Sequence, residues 1–175
     1  MTLPGKYYAS PEIYRRERRR IFHRRWFFAG HVSRVPEAGD YFLTELDRES
    51  IIVLRGDDGE VAAFHDLCRH RGCRIAGEDE GRFPHRIQCP YHAWTYDFSG
   101  ALVGAPNMHE VVGVDREVYP LRPVAVGGGE GVIFLIVAEG PTPLAELVAP
   151  IVARGRRAGG ASLRGVMGAV AAGAA

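Results

Sequence analysis

The first 25 residues carry the pattern of an amphipathic helix. Ser10, Pro11 and Glu12 form a helix start, because serine caps free amides, proline fits the first helical position and glutamate suits the positive end of the helix dipole. The pattern predicts a helix from about Pro11 to Arg24. Arginines cover most of it, and its inward face is predicted to hold Ile13, Tyr14, Ile21 and Phe22.

Short apolar runs separated by glycine and proline fill the middle of the chain. Asp57-Asp58-Gly59 is a strong turn signal between two such runs and predicts a hairpin. A succession of short strands joined by turns favours a mainly β fold, an antiparallel sandwich or barrel. The predicted strands cover residues 26–30, 40–46, 51–54, 61–64, 86–88, 94–97 and 132–137.

The last third of the chain changes character. Residues 143–153 are predicted to form a short helix, but residues 155–175 contain no aromatic and no acidic side chain. Two interpretations of this segment stay open: a poorly packed Ala/Gly-rich tail, and a truncated or frameshifted end of a longer protein. The predicted organisation is therefore an N-terminal helical arm (1–35), a β domain (36–140) and a truncated or disordered tail (141–175).

Composition narrows the class of protein. A chain of 175 residues with 46% hydrophobic and 25% charged residues is typical of one globular domain with appendages. Three cysteines are too few for a disulfide scaffold. No apolar run is long enough for a transmembrane helix, and the N-terminus lacks an apolar signal core. These features predict a soluble, cytoplasmic protein with no membrane partner.

The net charge of +1 conceals an uneven distribution. Residues 1–25 contain eight Lys or Arg and two Glu, which gives +6. Residues 26–150 contain ten basic and nineteen acidic residues, which gives −9, and residues 151–175 contribute four Arg. A solvated helix face is the main interpretation of the basic arm, and docking of an acidic partner is the alternative. No nucleic-acid partner is predicted, because no recognised nucleic-acid module accompanies the arginines.

Two short segments each offer one cysteine and one histidine. Cys68 and His70 are separated from Cys89 and His92 by eighteen residues, so loops of neighbouring hairpins could bring all four together. Zinc takes this donor set in tetrahedral sites, but its ligand pairs usually stand two to four residues apart. A Rieske [2Fe–2S] centre takes two Cys on one iron and two His on the other. The spacing favours the cluster, with zinc as the alternative.

The segments CRHRGC and CPYHAWTYDFSG resemble the Rieske motif of ring-hydroxylating oxygenase alpha subunits. The upstream stretch RRIFHRRWFFAGHVSRVPEAGDYF is similar to the N-terminal part of the same subunits. The resemblance spans roughly residues 7–150. It implies a small antiparallel Rieske β domain with Cys68, His70, Cys89 and His92 as cluster ligands. Because the cysteine-bound iron is better kept away from water, we expect the two imidazoles at the exposed edge of the cluster, where electrons enter or leave.

The same resemblance predicts the range of the reduction potential. Replacing two thiolates by neutral imidazoles raises the potential of a [2Fe–2S] centre to roughly −150 to +300 mV. High-potential Rieske proteins pair a cysteine equivalent to Cys73 with a second cysteine, and that second position is Tyr91 here. We therefore expect no such disulfide, an ordinary thiol at Cys73, and a potential at the low end of the range.

Relatives of this kind activate oxygen at a separate mononuclear iron held by two His and a carboxylate. No histidine follows His109, so that Fe(II) is expected only in a full-length relative, and no catalytic residue is assigned here. The resemblance thus implies an oxidoreductase: the electron-transfer part of a Rieske oxygenase alpha subunit, unable to hydroxylate alone. Its expected partners are a reductase or ferredoxin and further copies of itself, in a trimer. A free-standing Rieske ferredoxin is the alternative.

Overall fold

The computed structural model describes residues 2–106, 108, 115–129, 131–138 and 143–146. Most of the predicted helix at 143–153 and all of the predicted tail from 155 lie outside these residues. Within the described part, no helix is long and apolar enough to cross a membrane.

The N-terminal arm contains two α-helices, α1 (Lys6–Ala9) and α2 (Pro11–Glu17), followed by a π-helical turn (Arg18–Phe22). The predicted helix start is confirmed, because the Ser10 hydroxyl accepts a hydrogen bond from the Ile13 amide. The single α-helix predicted to reach Arg24 is wrong in its second half, which winds as the π-helical turn. The wider winding changes the face that each side chain occupies, and Ile21, predicted to point inward, is 48% exposed.

The predicted mainly β, antiparallel class is confirmed. The strands form three antiparallel sheets in the orders β1-β10-β9, β4-β3-β2-β5 and β6-β7-β8. Short 3₁₀ turns occupy Val32–Arg34 and Arg116–Val118. The strands are β1 (Phe27–His31), β2 (Asp40–Leu46), β3 (Glu49–Arg55), β4 (Val61–His65), β5 (Glu80–Arg82), β6 (Ile87–Gln88), β7 (Thr95–Tyr96), β8 (Leu102–Gly104), β9 (Ala125–Gly129) and β10 (Val132–Ile136).

The hairpin predicted at residues 57–59 joins β3 to β4, and a second tight hairpin joins β2 to β3. The loop of the second hairpin is Asp47-Arg48, with φ of 52° and 71°. Positive φ at both loop positions is the geometry of a type I′ turn, which matches the twist of the flanking strands. The sequence analysis missed this turn, because Asp-Arg lacks the glycine that usually marks it.

Asp47 also ties the arm to this hairpin. Its carboxylate is 1% exposed and accepts hydrogen bonds from the Tyr14 hydroxyl at 3.2 Å, from Arg18 Nε and from His23 Nε2 at 2.6 Å. Burial would raise the pKa of Asp47, but the hydrogen bonds from Arg18 and His23 outweigh burial and hold it below its usual range. The arm is therefore fixed by a buried charge as well as by apolar contacts.

The core consists of two clusters of buried side chains. One cluster packs β2 and β3 against β10, with Phe42, Val53 and Leu135 at its centre. The other extends from the opposite faces of β2 and β3 to the β6-β7-β8 sheet and includes Cys68 and Cys89. The two cysteines singled out by their spacing are therefore part of a packed interior.

Candidate metal centre

Two loops carry the candidate ligands, and both close with the same hydrogen-bond pattern. The first loop follows β4: the Cys68 amide donates to the Cys73 carbonyl at 2.8 Å, and the Gly72 amide donates to the Cys68 carbonyl at 2.9 Å. Gly72 has φ of 68°, a conformation that glycine adopts at no steric cost.

The second loop joins β6 to β7. The Cys89 amide donates to the Trp94 carbonyl at 2.8 Å, and the Ala93 amide donates to the Cys89 carbonyl at 3.0 Å. Ala93 has φ of 55°, the position equivalent to Gly72. A non-glycine residue is uncommon there, and such conformations cluster at functional sites. Each loop thus curls tightly around its own cysteine.

The loops bring the four candidate side chains together as two pairs. Cys68 and Cys89 are 3% and 2% exposed, and the Cys89 thiol is near enough to raise the pKa of Cys68. His70 and His92 are half-buried, with ring centroids 4.8 Å apart. The expected difference between buried sulfurs and more exposed imidazoles is present.

The pairs do not converge on one point. Within the described residues, no group of three His, Cys, Asp or Glu side chains is arranged to hold a single metal ion. A tetrahedral Cys2His2 zinc site needs all four donors around one centre. Two separate pairs of like donors suit a binuclear group that takes sulfur at one metal and nitrogen at the other.

The protonation states fit such a group. Burial lowers the pKa of His70, with further contributions from His92 and Arg71, which favours the neutral imidazole that a metal ligand requires. Burial raises the pKa of the Cys68 thiol, and the adjacent Cys89 raises it further. Buried thiols of this kind become thiolates when a metal cation supplies the compensating charge.

An unpartnered nitrogen provides the test of fit. His92 Nδ1 is buried and has no hydrogen-bond partner among the described residues. A buried polar atom without a partner is destabilising, and the large majority of such atoms are satisfied in folded proteins. Together with the paired thiols, this free nitrogen fits a [2Fe–2S] group.

Tyr96 and Asp66 hold the first loop in place. The Tyr96 hydroxyl accepts from the Arg69 amide at 3.0 Å and lies 3.3 Å from Cys68 Sγ. The Asp66 carboxylate is fully buried and accepts from the amides of Ile75 and Ala76 at 2.9 and 3.0 Å. Asp66 directly follows β4, so its carboxylate fixes the chain where the first loop begins. The sequence did not indicate Tyr96, because a tyrosine seven residues after Cys89 carries no local pattern that links it to the first loop.

Three further side chains border the site. Trp94 is 2% exposed, and its indole lies face to face with the His70 imidazole at an interplanar angle of 9°. Cys73 is half-buried, and its Sγ donates to the Arg74 carbonyl at 3.1 Å. Tyr91 is 59% exposed and leans on His92, with ring centroids 3.8 Å apart.

These features are those of an iron–sulfur electron-transfer domain: two loops, the second of them the β6–β7 hairpin, present two buried thiols and two less buried imidazoles. Comparison with known families leads to the same class. Residues 25–120 match the Rieske [2Fe-2S] domain, more than half of the chain, and the chain belongs to this family. Membership of the family implies a [2Fe–2S] cluster.

The relatives are oxygenase alpha subunits. The oxygenase subunit of glycine betaine monooxygenase from Chromohalobacter salexigens is 36% identical over 151 residues, which is 86% of this chain and 33% of the relative. A crystal structure of a quaternary ammonium Rieske monooxygenase with L-carnitine has a TM-score of 0.82 at 30% identity, covering 90% of this chain and 44% of the other. Naphthalene 1,2-dioxygenase from Rhodococcus sp. has a TM-score of 0.77 at 33% identity, covering 84% and 34%.

The chain thus spans about a third of the length of the curated relatives it matches, and it corresponds to their N-terminal part. What these relatives share with it is the Rieske domain.

Proposed function

We propose that this chain is the electron-transfer part of a Rieske oxygenase alpha subunit. In this proposal Cys68 and Cys89 hold one iron of the cluster, and His70 and His92 hold the other. The observation that carries it is the arrangement in two pairs, with thiols in the core, imidazoles nearer the surface and His92 Nδ1 without a partner among the described residues. When bound, the cluster supplies reversible one-electron transfer.

The burial of the candidate ligands determines the side from which electrons reach a bound cluster. The thiols are enclosed by the core, whereas the imidazoles, Tyr91 and Leu67 are partly exposed, with Leu67 at 42%. Electrons from a reductase or ferredoxin therefore cross the outer, imidazole side. Their destination is a mononuclear iron in a further domain of the whole enzyme, and the resemblance implies a homotrimer. A cytoplasmic location is part of this proposal. The glycine betaine relative favours a quaternary ammonium substrate for the whole enzyme.

The decisive experiment combines metal analysis with substitutions. Anaerobically purified chain should contain about two irons and two acid-labile sulfides, with a Rieske EPR signal after reduction by dithionite. His70→Ala and His92→Ala should each abolish that signal. Cys73→Ser and His65→Ala, which remove a thiol and an imidazole beside the site, should retain it. A signal that survives His92→Ala, or is lost in Cys73→Ser, would refute the ligand assignment.

A free-standing Rieske ferredoxin is the second candidate, because all four proposed ligands belong to this chain. Both candidates predict that purified chain with reductant and oxygen forms no hydroxylated product. They differ when a separately expressed catalytic domain of a relative is added. Oxygen consumption coupled to that domain supports the oxygenase part, whereas electron transfer to other carriers alone supports the ferredoxin.

A further inference from the structure

Three thiols lie together at the base of the two ligand loops. Cys68, Cys73 and Cys89 are the only cysteines of the chain, and all three are free. Cys68 and Cys89 are proposed ligands, whereas the proposed function gives Cys73 no role. The Cys73 side chain packs against the same core cluster that contains the other two. The site therefore holds one thiol more than the two that a Rieske centre uses.

The first loop fixes Cys73 beside this core. The Cys73 carbonyl accepts a hydrogen bond from the Cys68 amide at 2.8 Å, which closes the loop at its base. Burial raises the pKa of the Cys73 thiol and of the Cys68 thiol, and in both cases Cys89 is near enough to raise it further. The Cys89 thiol is thus a neighbour of both thiols of the first loop.

The three thiols differ in how easily a dissolved reagent reaches them. Cys68 and Cys89 are buried, and Cys68 Sγ also contacts the Tyr96 hydroxyl. Cys73 is half-buried, and its Sγ lies 3.1 Å from the Arg74 carbonyl at the outer side of the loop. A reagent therefore reacts first at Cys73, and the neighbouring Cys89 thiol is placed to complete a disulfide with it.

We propose that Cys73 and Cys89 form a reversible disulfide that blocks loading of the cluster, with a small-molecule disulfide such as oxidised glutathione as the oxidant. Cys73 Sγ attacks one sulfur of oxidised glutathione, and the first glutathione leaves as a thiol. Cys89 Sγ then attacks Cys73 Sγ, and the second glutathione leaves. The two cysteines give up two protons and two electrons, which the two glutathione thiols take up.

The effect on loading rests on the proposed function, in which Cys89 is a ligand of one iron. Because residue 91 is tyrosine and the chain has three cysteines, every disulfide of Cys73 within the chain engages a proposed ligand. A chain that already holds the cluster is protected, since its Cys89 thiolate is bound to iron. Before loading, the disulfide also keeps the ligand sulfur from irreversible oxidation, and a reducing thiol restores it.

The test maps disulfides in the full chain, with its cluster and after removal of the cluster by a chelator under reducing conditions. Each sample is incubated with oxidised glutathione, alkylated and digested by trypsin without reductant. Trypsin cleaves after arginine and places the three cysteines in separate peptides, 56–69, 72–74 and 87–116. Because a raised pKa leaves little Cys73 thiolate at neutral pH, the incubation runs at about pH 8.5.

In the chain without cluster we expect peptide 72–74 linked to peptide 87–116, and in the loaded chain we expect no such link. Loading is then measured by the transfer of a cluster from a [2Fe–2S] scaffold protein in thiol-free buffer. Oxidised glutathione should lower loading of the wild type about fivefold, and dithiothreitol should restore it. Cys73→Ser and Cys73→Ala should each lose less than about twofold under the same treatment.

Three outcomes would overturn the disulfide: a dominant link between peptides 56–69 and 87–116, glutathione on peptide 72–74 with no link, or an equal loss of loading in Cys73→Ser and wild type. In each case an untreated chain that takes up the cluster leaves the proposed function intact. An untreated chain that takes up no iron and sulfide would instead refute the proposed function, and the peptide map would still decide whether Cys73 and Cys89 pair.

Discussion

Removing one hydroxyl group from the core should lower the reduction potential of the bound cluster. The Tyr96 hydroxyl has two neighbours, the Arg69 amide at 3.0 Å and Cys68 Sγ at 3.3 Å. The amide is a donor, so the hydroxyl proton is directed at the sulfur. Burial raises the pKa of Tyr96 well above its ordinary value, so the proton stays on the oxygen. Tyr96→Phe deletes this O–H···S contact and leaves the ring.

The magnitude follows from a single hydrogen bond. Reduction adds negative charge to the cluster sulfurs, so a donated hydrogen bond is stronger in the reduced state. A net contribution of about 0.5–1.5 kcal/mol corresponds to roughly 20–60 mV for one electron. The Arg69 amide also loses its acceptor, which costs about 1–3 kcal/mol of unfolding free energy if water does not replace it.

Potentiometric titration of the loaded full chain, followed by EPR, measures the shift. Tyr41→Phe is the matched control: Tyr41 is 6% exposed in the same core cluster, and its hydroxyl interacts with the Glu78 backbone rather than with a cysteine. We expect a fall of about 20–60 mV in Tyr96→Phe and little change in Tyr41→Phe. An unchanged potential with an intact signal, or an equal fall in the control, would refute the reasoning.

Three other changes test the frame around the site. Asp47→Asn should make the arm more sensitive to protease while the β domain stays folded. The same loss is expected at low pH. Because the folded pKa of Asp47 is lowered, the stabilisation of the arm by its carboxylate is complete above the unfolded pKa and is lost as the pH falls through the folded pKa. Limited proteolysis at pH 7 and at acid pH measures both effects, and an arm that resists cleavage in the variant contradicts the role of Asp47. Asp66→Asn should lower the iron content, because the first loop loses a buried carboxylate that holds two amides; unchanged iron content would show that the loop closes without it. Gly100→Ala should lower the urea midpoint more than Gly59→Ala. Both glycines have positive φ, so both variants carry about 1–3 kcal/mol of backbone strain, but only at Gly100 would a Cβ lie 2.5 Å from a Phe64 ring carbon. Equal midpoints would rule out the clash.

The sequence predicted the strands whose own patterns are strong. Asp40–Leu46 is a strand with the predicted bounds, and the Asp57-Gly59 turn joins β3 to β4. The sequence pattern did not predict β5, β8 and β9, which form by pairing with β2, β7 and β10. Ala125–Gly129 contains three glycines and has low strand propensity of its own, but it pairs along β10. Glycine at 128 permits this pairing, because a Cβ there would lie 2.1 Å from the Val132 carbonyl oxygen.

The same distinction applies to the candidate site. The four proposed ligands could be chosen from local spacing, because each pair lies within three residues of the chain. Tyr96 could not, because its hydroxyl meets Cys68 across 28 positions and depends on how β7 packs under the first loop. The pocket between the arm and the first ligand loop also depends on tertiary structure, since His23 and Arg122, which both line it, are distant in sequence.

The arrangement of the loops explains why each contributes one cysteine and one histidine. Between Cys68 and His70, and again between Cys89 and His92, the chain passes from the buried core to the partly exposed surface. A cluster held by both loops therefore lies across that boundary, with its sulfur-bound iron enclosed and its imidazole-bound iron near solvent. With neutral imidazoles, the oxidised cluster and its two thiolates sum to zero charge, so reduction places a single negative charge in the site. Solvent on the imidazole side would stabilise that charge, so the partly exposed position of His70 and His92 favours the reduced state of a bound cluster.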